Sequence, residues 1–290
     1  MKLILKFNLI LIVMFLIGLA SAFYLANGLL QKNAREEIHE NARIMMESAL
    51  AVRAYTVSQI RPLLETQMRY QFLPQTVPSY SATEYFNNLR KSFPEYMYKE
   101  ATVNPTNLRD RAEGWEVDVV SHFREHADAK ELVGERQAAT GPMLYLARPM
   151  RITDEKCLVC HSTVDAAPQT MIDKYGPANG FGWQLKDVIG AQIVSVPYTL
   201  PLQRANAALR SFLYLLVGVF GFLFVTVNFL LYTLVVKPVR RLGTIADKVS
   251  LGEMDAPEFT GTGSAEIASL GQSFNRMRRS LVEALKMLQE

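Results

Sequence analysis

Cysteine is almost missing from this chain: Cys157 and Cys160 are the only two among 290 residues. A single pair two residues apart cannot build a disulfide framework, so a small disulfide-stapled fold is excluded and the pair needs a local explanation. A strong excess of one charge is also missing. The 31 Lys and Arg against 28 Asp and Glu leave a formal net charge of +3 with no long basic stripe, which argues against nucleic acid as a partner. Internal repeats and low-complexity tracts are absent, as are a Ser/His/Asp set and a convincing pair of acids, so an enzyme is not expected. Apolar residues are plentiful at 49%, enough for one well-cored domain plus appended elements.

The apolar residues are concentrated. Residues 7–30 and 211–236 carry no charge, and each run exceeds the ~20 residues a helix needs to cross a bilayer. The first could instead be a cleaved signal peptide, with Ala20-Ser21-Ala22 as its cleavage site, but its apolar stretch outlasts the usual ~7–15 residue core. Lys2 and Lys6 precede the first run, and Lys237, Arg240 and Arg241 follow the second. Both ends therefore read as cytoplasmic, in a two-pass membrane protein in contact with lipid. The expected domains are a transmembrane helix at 1–30, an extracytoplasmic (periplasmic) domain at 31–207, a second transmembrane helix at 208–236 and a cytoplasmic region at 237–290.

Beyond the first span, Ile38, Ala42, Met45, Ala49 and Val52 recur at helical spacing and predict one apolar face, ended or kinked at Pro62. Met143–Ala147 and Val188–Val196 read as strands. Helices, then strands, then a helix back to the membrane predict an α+β domain.

The cysteines stand in Cys157-Leu-Val-Cys160-His161, the C-x-x-C-H attachment signature of c-type haem. Two thiols add to the two vinyl groups on one porphyrin edge, and the next residue places an imidazole on the iron, so His161 is the expected proximal ligand of one covalent haem c per chain. A structural zinc site would need four ligands, and no second cysteine pair exists to supply them. A thioredoxin-like pair expects a strand-to-helix setting, whereas Arg151–Lys156 reads as a loop. Residues 175–183 hold three glycines and three aromatics, suited to a loop whose backbone approaches a flat apolar ligand, or to an ordinary surface turn. Arg53, Arg148 and Arg151 are candidates for pairing with propionates. For the sixth iron position the candidates are Met45, Met46, His122 and His126, or an open site.

Around this motif the sequence resembles the PAS-like single-haem c-type domains of bacterial membrane sensors, a family catalogued as a domain of unknown function. The matching pieces are Ala51–Thr56, the Cys157–His161 run, Tyr175–Trp183, Asp187–Gly190 and Val194–Pro197. The resemblance implies a haem held in a PAS-like cradle of sheet and helices, read as a redox or small-ligand sensor. After the second run, Pro238, Leu242, Ile245, Val249, Gly252, Ser264 and Glu266 precede a repeat of Ile267, Leu270, Phe274, Met277, Leu281, Ala284 and Leu288. This pattern resembles the HAMP relay of bacterial receptors. HAMP relays work as parallel dimers, so the resemblance implies a homodimer, with Leu270 and Phe274 expected at its seam. No kinase or cyclase follows, so the expectation is that either output passes to a separate cytoplasmic signalling partner or the chain has lost its effector. The alternative is a membrane-tethered electron-transfer cytochrome serving a redox partner, which would not need the HAMP-like tail.

Overall fold

The computed structural model describes residues 3–253, 255–260 and 264–289. The chain divides into two compact units, Ala26–Ala208 and Met1–Leu25 with Leu209–Glu290. The described helices are α1 (Leu3–Tyr55), α2 (Arg61–Met68), α3 (Pro78–Leu89), α4 (Trp115–Glu125), α5 (Leu158–His161), α6 (Gln169–Tyr175), α7 (Thr199–Leu231), α8 (Lys237–Ser250) and α9 (Ala265–Gln289). The strands are β1 (Met97–Thr102), β2 (Leu132–Ala138), β3 (Gly141–Arg151) and β4 (Val188–Pro197).

The four strands form one antiparallel sheet in the order β1-β4-β3-β2. Its centre, β4, is buried along nearly its whole length, so its sequence is a near-continuous apolar run with both faces covered. Val194, Val196, Leu144 and Leu146 point to one face, where they meet Ile38, Ala42, Met46 and Ala49 of α1 and Phe86 of α3. Ala191, Ile193 and Ala147 point the other way, onto Val119, Val120 and Phe123 of α4. Each large side chain buried in these layers stabilises the fold by about 1.5–3 kcal/mol. Period-2 alternation thus assigns α1 and α3 to one side of the sheet and α4 to the other.

The helical path beyond α1 continues past Pro62. A π turn spans Thr56–Ile60, and α2 restarts with Pro62 in its first turn. Proline has no N–H and its ring crowds the carbonyl four residues back, so a wide turn just before it removes the conflict. The same device recurs at Tyr232–Val236, directly before α8 and Pro238. Two helical stretches, Ile4–Met68 and Thr199–Ser250, are long and apolar enough to cross a bilayer.

In the other unit, α8 and α9 pack through Ile245, Val249, Ala256 and Phe259, with Leu242, Ile267 and Phe274 against them. The Asn275 side chain donates to the Phe259 carbonyl and accepts from its N–H, each at 3.0 Å. Ser264 stands at the start of α9, its carbonyl accepting from Ala268, and its hydroxyl bond to Glu266 holds that carboxyl below the usual range. Leu270 is 51% exposed, whereas Phe274 is partly buried against the cluster of its own chain. The side chain of Leu288 and the connector residues 261–263 lie outside the described residues.

Candidate functional site

A cavity of about 460 Å³ opens on the α1 face of the sheet, where Glu100 of β1, Gln192 of β4 and Met150 of β3 come together. Leu50, Arg53 and Val57 bring the end of α1 and its π turn to one wall. Cys157, Cys160 and His161 form another.

The local sequence builds that second wall from a few hydrogen bonds. Asp154 opens a short turn by accepting from the Lys156 N–H at 2.9 Å, and Cys157 N–H donates to the Asp154 carbonyl at 3.0 Å. The chain then makes one turn of helix, α5, so Cys157 and Cys160 fall three residues apart on one face. Neither is in a disulfide. Burial, then the Asp154 charge, pushes the Cys157 thiol up despite Arg53 and Arg61, and burial likewise raises Cys160. Both are protonated thiols at neutral pH, unlike the activated cysteine of a dithiol redox pair.

His161 is fixed by the loop before β4. Its Nδ1 lies 2.8 Å from the Gly180 carbonyl, which makes Nδ1 the protonated nitrogen and leaves the Nε2 lone pair free. Burial pulls its pKa down against that hydrogen bond, so the ring is neutral and suited to a metal. Trp183 stacks on the imidazole at 3.9 Å and 16°, and its backbone N–H donates to the His161 carbonyl at 3.1 Å. Gly180 has φ +87, and a Cβ there would overlap Thr106, so only glycine brings this carbonyl to His161. Its own N–H donates to Asn104 at 3.0 Å. The loop's aromatics and glycines thus have a specific use: one holds the imidazole's plane, the other its tautomer.

The opposite wall holds a buried charge pair. Arg53 meets Glu100, 1% exposed, at 2.5 Å, and the Tyr98 hydroxyl donates to Glu100 at 2.7 Å. Burial works against the Arg53 charge, yet Glu100 keeps its pKa above the ordinary value. Burial and then Glu100 hold Tyr98 well above its usual range. Asp110, also in the lining, is raised to about 6 by burial, against the pull of Arg109.

Of the residues singled out from sequence, Cys157, Cys160, His161, Arg53, Arg151, Tyr175 and Trp183 line this cavity. Arg148 does not: it pairs with Glu47 at 2.7 Å and Glu131 at 3.1 Å. None of the four sixth-ligand candidates lines it either. Met45 and Met46 are 7% and 0% exposed in the core, because the apolar stripe of α1 is its packing face. His122 of α4 and His126 just past its end stack on each other at 4.3 Å, and α4 covers the other face of the sheet. The lining instead contains Met68, Met150 and Met171, with Arg61, Arg109 and Lys156 as cations. Lys156, beside Cys157, and Met150, beside Arg151, carried a positional hint; Met68, Met171, Arg61 and Arg109 arrive from separate segments.

Two thiols on one helical turn, a neutral imidazole with Nε2 free, apolar walls and peripheral cations fit a covalently attached haem, whose carboxylates the lining arginines would pair with.

The Tll0287-like family model, described as Tll0287, matches residues 31–197, more than half of the chain. The HAMP domain model matches residues 230–283. A search among curated proteins finds no match. Among solved structures, the chain is similar to the crystal structure of the cyanobacterial haem protein Tll0287, with 12% identity and a TM-score of 0.44 over 56% of this chain and 95% of that one.

Proposed function

The chain belongs to the Tll0287-like family and carries a HAMP domain, and on that premise we propose that it is a haem sensor of the bacterial cytoplasmic membrane. Cys157 and Cys160 hold one haem through thioethers, and His161 holds the iron through Nε2. The observation that carries this reading is the convergence of those three side chains on one cavity with Nε2 left free by the Gly180 carbonyl. Haem, when bound, supplies an iron that changes oxidation state and takes small ligands.

The chain's own residues give that change a route outward. Arg53 joins α1 to β1 through Glu100, so any shift of the cavity wall bears on α1. The helix continues unbroken from Arg53 back to Leu3. On the other side, Ile189 and Gln192 of β4 line the cavity, and β4 runs almost directly into α7. In this reading residues 26–208 form a PAS-like domain outside the cytoplasm, α1 and α7 span the membrane, and α8 and α9 pair with a second copy and pass the signal to a separate partner. Met68, Met150 and Met171 line the same cavity and would offer thioethers to a bound iron, the alternative being an exogenous ligand.

The test is chemical. The purified full chain should keep its haem through acid-acetone extraction and give a pyridine haemochrome spectrum of the two-thioether type. Cys160→Ala should leave at most one thioether, and the double substitution with Cys157→Ala none. Fully extractable haem in the unaltered protein overturns the reading.

A further inference from the structure

Trp183 also lines a second pocket of about 500 Å³, together with Arg124, Arg151 and Lys186 and with Phe181 and Val188 among its walls. No ion pair engages these three cations among the described residues. Arg124 spends only Nε, on the Val188 carbonyl at 3.0 Å. Arg151 spends only one terminal nitrogen, on the Ala127 and Phe123 carbonyls at 2.6 and 3.5 Å. The carboxylate in the lining, Asp187, accepts from the Gln184 N–H at 2.9 Å and so closes its own turn. The turn places Lys186 at φ +73, the one non-glycine residue with a positive φ among those described. Side chains disfavour that backbone state, and such strain persists where surrounding contacts enforce it. Here both neighbouring bonds do so, Lys186 N–H to the Ile152 carbonyl at 2.8 Å and Ile152 N–H to the Asp187 carbonyl at 3.0 Å.

We propose that this pocket binds a small organic polycarboxylate, and that Trp183 couples its occupancy to His161. Guanidinium forks and an ammonium recognise carboxylates, and the aromatic and branched walls suit a carbon skeleton. The space falls in the roughly 300–1,000 Å³ range of organic-ligand pockets, beyond what a bare inorganic oxyanion fills. Trp183, Arg151 and Ile189 line both this pocket and the cavity that holds Cys157 and His161. A ligand against the indole therefore presses on the ring stacked upon the imidazole. The binding half stands on this pocket alone; the coupling half rests on haem attachment.

Citrate is the probe, titrated by calorimetry into the haem-loaded full chain at low salt, with inorganic phosphate as comparison. Binding tighter than about 1 mM is expected, weaker for phosphate, and falling in high salt. Lys186→Gly removes one cation and relaxes the backbone, so it should fold at least as well yet bind citrate about tenfold more weakly. Lys130→Gln, outside the pocket, should leave binding unchanged. Citrate should also shift the Soret band of the unaltered protein. No binding, equal binding by Lys186→Gly, or binding confined to haem-free protein, which would mean that propionates fill the pocket, overturns the proposal. Binding without a spectral shift overturns the coupling. A preparation that lacks haem refutes the haem reading, while its calorimetry still judges the pocket.

Discussion

At the scale of single residues, Asp110 shows how the cavity trades stability for a poised group. Its carboxyl has a higher pKa in the fold, about 6, than the ordinary 3.8, so folding favours the protonated form. That stabilisation is fully present below the ordinary value and is lost as pH rises through the folded one. Asp110→Asn keeps the shape and removes the charge. It should stabilise the protein at pH 7.5 by on the order of 1–2 kcal/mol after allowance for solvent screening, and the gain should vanish near pH 4. Melting temperatures of the two proteins across pH check this; a gain that persists at low pH would contradict it. Cys157, Cys160 and His161 were legible because their chemistry is written in five consecutive residues. Arg61, Arg109, Met68 and Met171 were not, because each meets the cavity only after separate segments fold together. Met45 and Met46 illustrate the converse: their helical periodicity reports a core face, and the core is where they lie.

At the scale of elements, β3 and β4 were readable from their apolar runs, whereas β1, β2 and the π turn before Pro62 were not. A proline marks a conflict in the helix ladder, and tertiary packing decides whether the chain breaks or widens into a π turn. The α8–α9 pair separates two apolar roles that the three-four repeat alone merges. Phe274 packs within the chain and Leu270 faces outward. Phe274→Asp should therefore destabilise the helix pair itself by on the order of 3 kcal/mol. Leu270→Asp should leave the pair intact within about 0.5 kcal/mol and weaken the proposed homodimer instead. Limited proteolysis of the connector reads the first effect and light scattering of the full chain the second. Equal proteolytic sensitivity of the two variants would contradict this division.

At the scale of the whole molecule, the proposed relay depends on continuity. The cavity wall on α1 and the cavity wall on β4 each lead, with at most a short link, into an apolar helix long enough to cross a bilayer. An electron carrier could use the same haem site, but the state of its iron would have no reason to reach α8 and α9. Amide hydrogen exchange of residues 237–289, followed in full-length protein in lipid nanodiscs, distinguishes the two. Exchange in α8 and α9 should differ among the ferric, ferrous and carbon monoxide-treated ferrous proteins, and those differences should disappear in His161→Ala. Identical exchange in every state of the unaltered protein would contradict the sensor account.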